Sequence, residues 1–315
     1  MATSGSVDHY VTRDQIIQDA LWLLGALGES ETPSSATTTK CNRVLNNMIK
    51  AWQADGLNRW TISEGVVFLQ EDIAKYDLND TTGDWAAASD ALITTMTSDE
   101  SSGATTLTIA SSAGMIAGFA VVIENDDGTL TVDDIAVVNS ATSITLTGGL
   151  TADASSGNRV TAYELTLGRP LEIVGARYKD SVGTERSLTG LTRDQYFNIV
   201  NKEASSTPTS YFYDPQLNTG ALYVWPRPNT SAGLVMVSYV RQIEDFDSSG
   251  DAPDFPVEWS QALTYNLAMM IAPAYGKGQE VIQTIGPMAQ SFKQDVLNWD
   301  NETNSMFLLP NNEDY

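Results

Sequence analysis

Apolar residues at helical spacing occupy both ends of this chain, and neither end alone gives them anything to pack against. "TRDQIIQDALWLLGALG", Thr12 to Gly28, opens with a capping box: the Thr12 hydroxyl can accept from the backbone three residues on while Gln15 reaches back. Ile17, Leu21, Leu24 and Gly28 follow helical spacing with Ile16, Ala20, Leu23 and Leu27 beside them, and Gly28 suits the stop. A second helix is expected from about Ser35 to Asp55, striped by Cys41, Val44, Leu45, Met48, Ile49 and Trp52 and ended by Gly56. The short "ESETPS" link predicts an antiparallel hairpin. Near the other end, Pro256 sits at a first-turn position where its missing N–H is harmless, and Leu263, Leu267, Met270, Ile271 and Ala274 share a face. Lys277 to Trp299 is the last helical stretch, with Val281, Ile285, Met288, Phe292, Val296 and Trp299 three or four apart and a kink expected at Gly286-Pro287. Each pair of helices most simply buries its stripe against the other.

Between these ends the period changes from helical to two. Trp60 to about Leu78 reads as strand. From about Ala91 to Glu164, Ser, Thr, Gly, Ala and Val dominate, and "TTLTIA", "FAVVIE", "TLTVDDIAVV", "SITLTG" and "RVTAYE" alternate between "DDG", "SSG" and "GG" turns. Pro170 to Phe246 returns to longer strands with aromatics, interrupted at "TRDQYFNIV" by a second Thr-x-x-Gln box that predicts a short helix. The fold class is therefore α+β: a helical bundle built from both chain ends, an antiparallel β middle and an inserted small all-β module, sandwich or barrel. The expected divisions are an N-terminal helical hairpin (1–58), a first β region (59–90), the inserted module (91–165), a β region with an aromatic hairpin (166–250), C-terminal helices packing on 12–56 (251–301) and a tail (302–315). The module shows no clear core partner and is expected to face outward.

Charge excludes some partners. With 17 Lys and Arg against 40 Asp and Glu, the formal net charge is −23, and a surface this acidic repels the phosphate backbone of nucleic acid. Cys41 is the single cysteine and His9 the single histidine, so one chain can build neither a disulfide nor a zinc cluster of the Cys/His type. The polar start has no signal-peptide pattern, and no stretch reaches the roughly 18 apolar residues a membrane span needs. The expectation is a soluble protein made in a reducing compartment.

No constellation for catalysis emerges. His9 lies in a polar arm, poorly suited to holding a triad. "ENDDGTLTVDD" fails as a calcium loop because Gly128 at its sixth position puts Ile123 at the first ligand; Asp127-Gly128 reads better as a hairpin turn. "AYGKGQE" lacks the earlier glycine of a phosphate loop, and Cys41 on an apolar stripe is a packing residue. Glu64, Glu71 and Asp72 qualify as paired carboxylates only in the sense that any acids in the first β region would, with surface acids the better reading. No cofactor, metal or catalytic residue is assigned.

"YFYDPQLNTGALYVWPRP", Tyr211 to Pro228, poses the remaining question, since aromatics among prolines can form a stacking platform. Tyr211 and Tyr213 fall on one strand face and Phe212 on the other; beyond the turn, Leu222, Val224 and Pro226 alternate with Tyr223 and Trp225. A hairpin apolar on both faces is covered on both sides, and few basic or amide partners accompany it. It reads as core.

In order, "TRDQIIQDALWLLGALGE…TTTKCNRVLNNMIKAWQADGLNRW", the aromatic hairpin and "FPVEWSQALTYNLAMMIAPAYGKGQ" resemble the head-to-tail adaptors of short-tailed bacteriophages, also called tail accessory factors or packaged-DNA stabilisation proteins. Asn266-Leu267-Ala268, Ile271-Ala272-Pro273 and Tyr275 are the more specific part. The resemblance implies a structural, non-enzymatic virion protein, made in the host cytoplasm. Copies would form a ring, typically a dodecamer, between the portal protein and the tail nozzle, with tail fibres as a further partner. The ring would extend the DNA channel and retain the packaged genome without binding it specifically. A tail-associated cell-wall hydrolase is the alternative; a free carbohydrate-binding β protein explains neither the helices nor the acidity. Within the tail, Met306, Phe307, Leu308 and Leu309 form an apolar island between polar flanks and are expected to dock on the portal.

Overall fold

The computed structural model describes residues 5, 9–28, 30–54, 59–164, 167–277 and 279–299, without the side chains of 59, 280, 281 and 299. Its helices are α1 (Arg13–Leu23), α2 (Ser35–Ala54), α3 (Arg193–Phe197), α4 (Ser260–Ile271) and α5 (Gln279–Trp299). The chain divides into two compact units, one running to Trp60 and resuming at Ile243, the other Thr61–Gln242.

In the first unit, α1 begins at the expected capping box, with the Thr12 side chain and Gln15 each accepting from the other's backbone. It stops earlier than Gly28. Gly25 takes the left-handed conformation (φ 58°), its N–H reaches the Trp22 carbonyl, and the Ala26 N–H reaches that of Leu21. Those two bonds complete a Schellman motif, which satisfies the end carbonyls one turn before the second glycine. The end of α2 expected at Gly56 lies outside the described residues. Ile16, Ile17, Ala20 and Leu21 share one core with Leu45, Met48, Ile49 and Trp52 of α2, Leu263, Leu267 and Ile271 of α4, and Ile285 and Val296 of α5. Pro256 precedes a 3-10 turn, Val257–Trp259, that leads into α4. The α5 helix runs on through Pro287 and buries Ile285, Ala289 and Val296, leaving Met288 half exposed. The side chains of Val281 and Trp299 lie outside the described residues. Trp259 is fully buried, with ring centroids of Trp60, Phe255 and Trp52 at 5.0, 5.4 and 5.8 Å. Among the described residues no helix is long and apolar enough to cross a membrane.

The second unit holds all the strands: β1 (Ile62–Phe68), β2 (Lys75–Leu78), β3 (Trp85–Ala87), β4 (Leu92–Thr95), β5 (Thr106–Thr108), β6 (Ala120–Glu124), β7 (Leu130–Ser140), β8 (Ser143–Leu146), β9 (Arg159–Tyr163), β10 (Glu172–Lys179), β11 (Glu185–Gly190), β12 (Ser210–Pro215), β13 (Gly220–Trp225) and β14 (Leu234–Val240). Eight of them form one sheet in the order β2-β13-β12-β11-β10-β14-β1-β3, so the two β stretches on either side of the insertion are a single element. The sheet is antiparallel except where β11 meets β12 at Thr189–Ser210 and Gly190–Tyr211. A parallel pair needs a crossover, and α3 with its following loop supplies it. The sheet's outermost strands, β2 and β3, are consecutive in the chain, and the Asp77 N–H donates to Asp84 Oδ2 at 2.8 Å across the turn between them. That turn draws the two edges together around Val67, Leu78, Trp85, Leu222, Val235 and Tyr239.

Asp84 is half-buried at this seam. Burial holds its carboxyl above the usual 3.8; the Asp77 N–H opposes this, the Asp77 charge adds to it, and Lys75 opposes it. A raised folded-state pKa means the folded chain holds this proton more tightly than the unfolded one, so stability falls as pH climbs above 3.8. Asp84→Asn keeps an acceptor for Asp77 and removes the charge. Its melting temperature is expected to exceed that of the parent at neutral pH and to vary less between mildly acid and neutral buffer; a lower melting temperature at neutral pH would show that the carboxylate is used.

The remaining strands form a six-stranded sheet, β4-β9-β6-β7-β8-β5, whose ends meet through a bridge between Met96 and Ile109, giving a barrel-like closure. Leu107, Val121, Ile123, Ile135, Ile144 and Val160 fill it. Its Asp127-Gly128 turn is as expected, with Gly128 at φ 81° and the Asp127 carboxylate accepting from Thr129. This module has a core partner. Residues alternate across β1, so Val67 faces the eight-stranded core while Val66 and Phe68 face outward. Val66 and Phe68 join Ala86, Leu234 and the module's Val122 and Tyr163 in a further buried cluster, the Phe68 and Tyr163 rings 5.5 Å apart. The "VVF" run, apolar on both faces, was the sequence trace of that second layer.

Candidate interaction surface

The β12–β13 hairpin pairs Tyr211 with Val224, Phe212 with Tyr223 and Tyr213 with Leu222. Tyr211, Leu222 and Val224 point into the eight-stranded core, and the Tyr213 hydroxyl donates to the Pro170 carbonyl. On the opposite face lies an aromatic cluster. Tyr196, positioned by α3 and its capping box, sits 5.4 Å from Phe212 and 5.1 Å from Tyr223, centroid to centroid. The Arg193 guanidinium lies 5.5 Å from the Phe212 ring centroid and the Lys202 ammonium 5.6 Å from that of Tyr196, both within cation–π range. The loop after α3 is fastened along the hairpin: Trp225 Nε1 donates to the Asn201 carbonyl at 3.0 Å, and Arg227 to Glu203.

Both faces of the hairpin are thus covered, the outer one by a five-residue helix and its loop. Arg193 pairs with Asp214 and Arg227 with Glu203, while the Lys202 ammonium donates to the Phe197 carbonyl. Both arginines are thus withdrawn from the free positive charge that a nucleic-acid platform combines with stacking. What reaches solvent is apolar: Phe197 is 59% exposed and Leu217 at the hairpin tip 89%. The helical unit presents its own exposed apolar side chains, Trp22 (54%), Met270 and Met288. Trp22 flanks an open groove of about 390 Å³ shared with Gln18, Asp19 and Leu27. Such surfaces suit protein partners better than small substrates.

The residues weighed for chemistry scatter. His9 is exposed. Cys41 is buried in the helical core, where burial pushes its thiol up against a partial offset from the Tyr275 hydroxyl. Glu64 on β1 pairs with Arg177, while Glu71 lies past the other end of that strand, its N–H donating to Ser231 Oγ. The four strand steps from Glu64 to Phe68 alone span roughly 13 Å and Glu71 lies beyond them, too far for the 5–10 Å of a glycosidase pair. Asp72 adjoins Glu71 in a left-handed turn (φ 60°). Among the described residues no group of His, Cys, Asp or Glu is arranged to hold a metal ion. Met306, Phe307, Leu308 and Leu309 lie outside the described residues. Sequence reasoning missed the cover that Tyr196 gives the hairpin; its signal was the Thr192–Gln195 capping box, which fixed a helix at that point but not what it lay upon.

The family model for SU10 adaptor proteins matches residues 126–298, from the β6–β7 turn through most of α5. The front helices, α1 and α2, lie outside that match. No curated protein matches the chain. Among solved structures, VP17, a capsid protein of bacteriophage P23-77, is similar at 14% identity over 61% of this chain and 77% of that one, with a TM-score of 0.12, which carries no argument about the fold.

Proposed function

The chain belongs to the SU10 adaptor protein family, whose members are phage head-to-tail adaptors, and from that premise we propose that it forms a ring between the portal and the tail nozzle that extends the DNA channel and helps retain the packaged genome. The family match over residues 126–298 carries this reading. Net charge supports it: at −23, the wall of a conduit repels the duplex it passes and so does not arrest it. The helices from both chain ends act as one bundle, and the module of residues 91–165 serves tail components. The role is structural, so a zymogram on host cell wall stays blank.

Assembly depends on the portal in this reading. Neighbouring copies of −23 each repel until portal contacts offset the repulsion. Purified alone at low salt, the chain is expected to give no rings by electron microscopy and to form them when portal is added; rings without portal would refute that dependence. The Met306–Leu309 island supplies the docking contact. Each such side chain contributes about 1.5–3 kcal/mol on burial, and a ring repeats the contact many times. Truncation after Asn304 is expected to leave the melting temperature unchanged and to abolish co-purification with portal. A lowered melting temperature with portal binding intact would mean that the island folds back on its own chain.

A further inference from the structure

Strand β9, Arg159-Val160-Thr161-Ala162-Tyr163, is buried along its whole length, on two faces of opposite character. Val160 and Ala162 point into the module's own core. Side chains alternate across a strand, so Arg159, Thr161 and Tyr163 share the other face, which is laid against the eight-stranded sheet. There Tyr163 packs with Phe68, and Arg159 Nη1 donates to the carbonyls of Ala232 and Gly233 at 2.7 and 3.0 Å. The rest of that face is unsatisfied. Arg159 Nε and Nη2, Thr161 Oγ1 and the Tyr163 hydroxyl are sealed from solvent and find no hydrogen-bond partner among the described residues. Buried polar groups are nearly always paired, and each one left unpaired opposes the burial that covers it. Here they fall on three successive positions of one strand face, all at the junction of module and sheet.

We propose that the module undocks from the sheet as a folded unit, the docked arrangement exchanging with a less populated one in which this face of β9 meets water. A strand with one apolar face and one of Arg, Thr and Tyr is built for a sheet that is wet on one side. The six-stranded module also closes its own core without help from the larger sheet. Docking is demanded by the other partner, whose Val66, Phe68 and Leu234 need cover. Apolar burial therefore favours the docked arrangement while hydration of four polar atoms opposes it. That opposition keeps the undocked arrangement populated, at roughly 0.1–10%. The covalent geometry permits the movement. Leu92 pairs with Ala162, so the chain enters and leaves the module side by side, at the Tyr163 end of β9. Opening from the Arg159 end releases the bonds to Ala232 and Gly233 and the one from Ser231 Oγ to the Gly128 carbonyl. No strand belongs to both sheets, so neither ladder has to break. The inference concerns the chain by itself and is independent of ring formation.

Thiol labelling of the full-length chain tests it. Thr161→Cys puts a thiol of similar bulk on the docking face, and Val160→Cys puts one on the adjacent position inside the module's core. Peptide mapping separates either from the native Cys41. In native buffer a maleimide is expected to label position 161 at least about tenfold faster than position 160, because undocking exposes the first and only unfolding of the module exposes the second. Urea well below the unfolding transition should accelerate labelling at 160 and leave 161 nearly unchanged, since undocking uncovers far less surface than unfolding. Tyr163→Phe keeps the ring and removes an unpaired hydroxyl, so the docked arrangement gains. In the Thr161→Cys background it should slow labelling at 161 about tenfold. Labelling at 161 no faster than at 160 would mean that exposure requires unfolding, and would overturn the proposal. Unchanged or faster labelling at 161 in the Tyr163→Phe background would overturn it as well, because the hydroxyl would then be satisfied in the docked arrangement.

Discussion

Replacing residues 92–163 with a short Gly-Ser link is expected to leave the helical signal intact and to destabilise the eight-stranded sheet by roughly 4–7 kcal/mol. The excision is geometrically easy, since Leu92 pairs with Ala162 across antiparallel strands and the ends to be joined are neighbours. Its cost comes from the outward faces of β1 and β14. Val66, Phe68 and Leu234 are buried against Val122 and Tyr163 of the module, and each such side chain returned to water loses about 1.5–3 kcal/mol. The bonds of Arg159 to Ala232 and Gly233 go as well. A loss of this size approaches the 5–15 kcal/mol that typically holds a domain together. The helical unit keeps its own core and should melt as before. Circular dichroism with heating would therefore resolve two transitions, the sheet transition moved down. An unmoved sheet transition would show that the shared cluster contributes little; a collapse of helical signal would show that the helices depend on the module.

Trp259→Ala is expected to cost the helical unit about 3–5 kcal/mol, the range for truncating a fully buried large aromatic. Trp259 stands where the 3-10 turn enters α4, with Trp60 and Phe255 on one side and Trp52 of α2 on another, so its removal opens a cavity that several rings line at once. Those rings cannot collapse together, because Trp60 is held by its Nε1–H bond to the Asp254 carbonyl. Urea titration followed by tryptophan fluorescence measures the effect. Trp259→Phe should lose less than half as much, since most of the volume is kept. A cost below about 1 kcal/mol for the alanine variant would mean that the cluster repacks freely.

The sequence by itself determined what is local. Two Thr-x-x-Gln boxes started α1 and α3, because a hydroxyl and an amide three residues apart satisfy each other's backbone wherever the rest of the chain goes. Asp127-Gly128 made its turn for the same reason, and alternation in "SYFYDP" and "GALYVW" fixed which side chains of the hairpin share a face. The family resemblance drew on the front helices, the hairpin and the α4 region, of which the last two lie within the matched residues.

Tertiary structure decided the partners. A period of two states that a strand has two faces but not which strand lies beside it, so nothing in "ISEGVVF" foretold its pairing with β14, far along the chain, nor the parallel contact of β11 with β12. The choice between Gly25 and Gly28 as the end of α1 likewise rested on which carbonyls found donors first. Arg159 is the clearest case. In "GNRVTAYE" it reads as an ordinary charged residue at the start of a strand. Only the packing of the module on the sheet removes it from water and leaves two of its three guanidinium nitrogens without a partner among the described residues, because burial is a property of the neighbours that arrive and not of the residue that is covered.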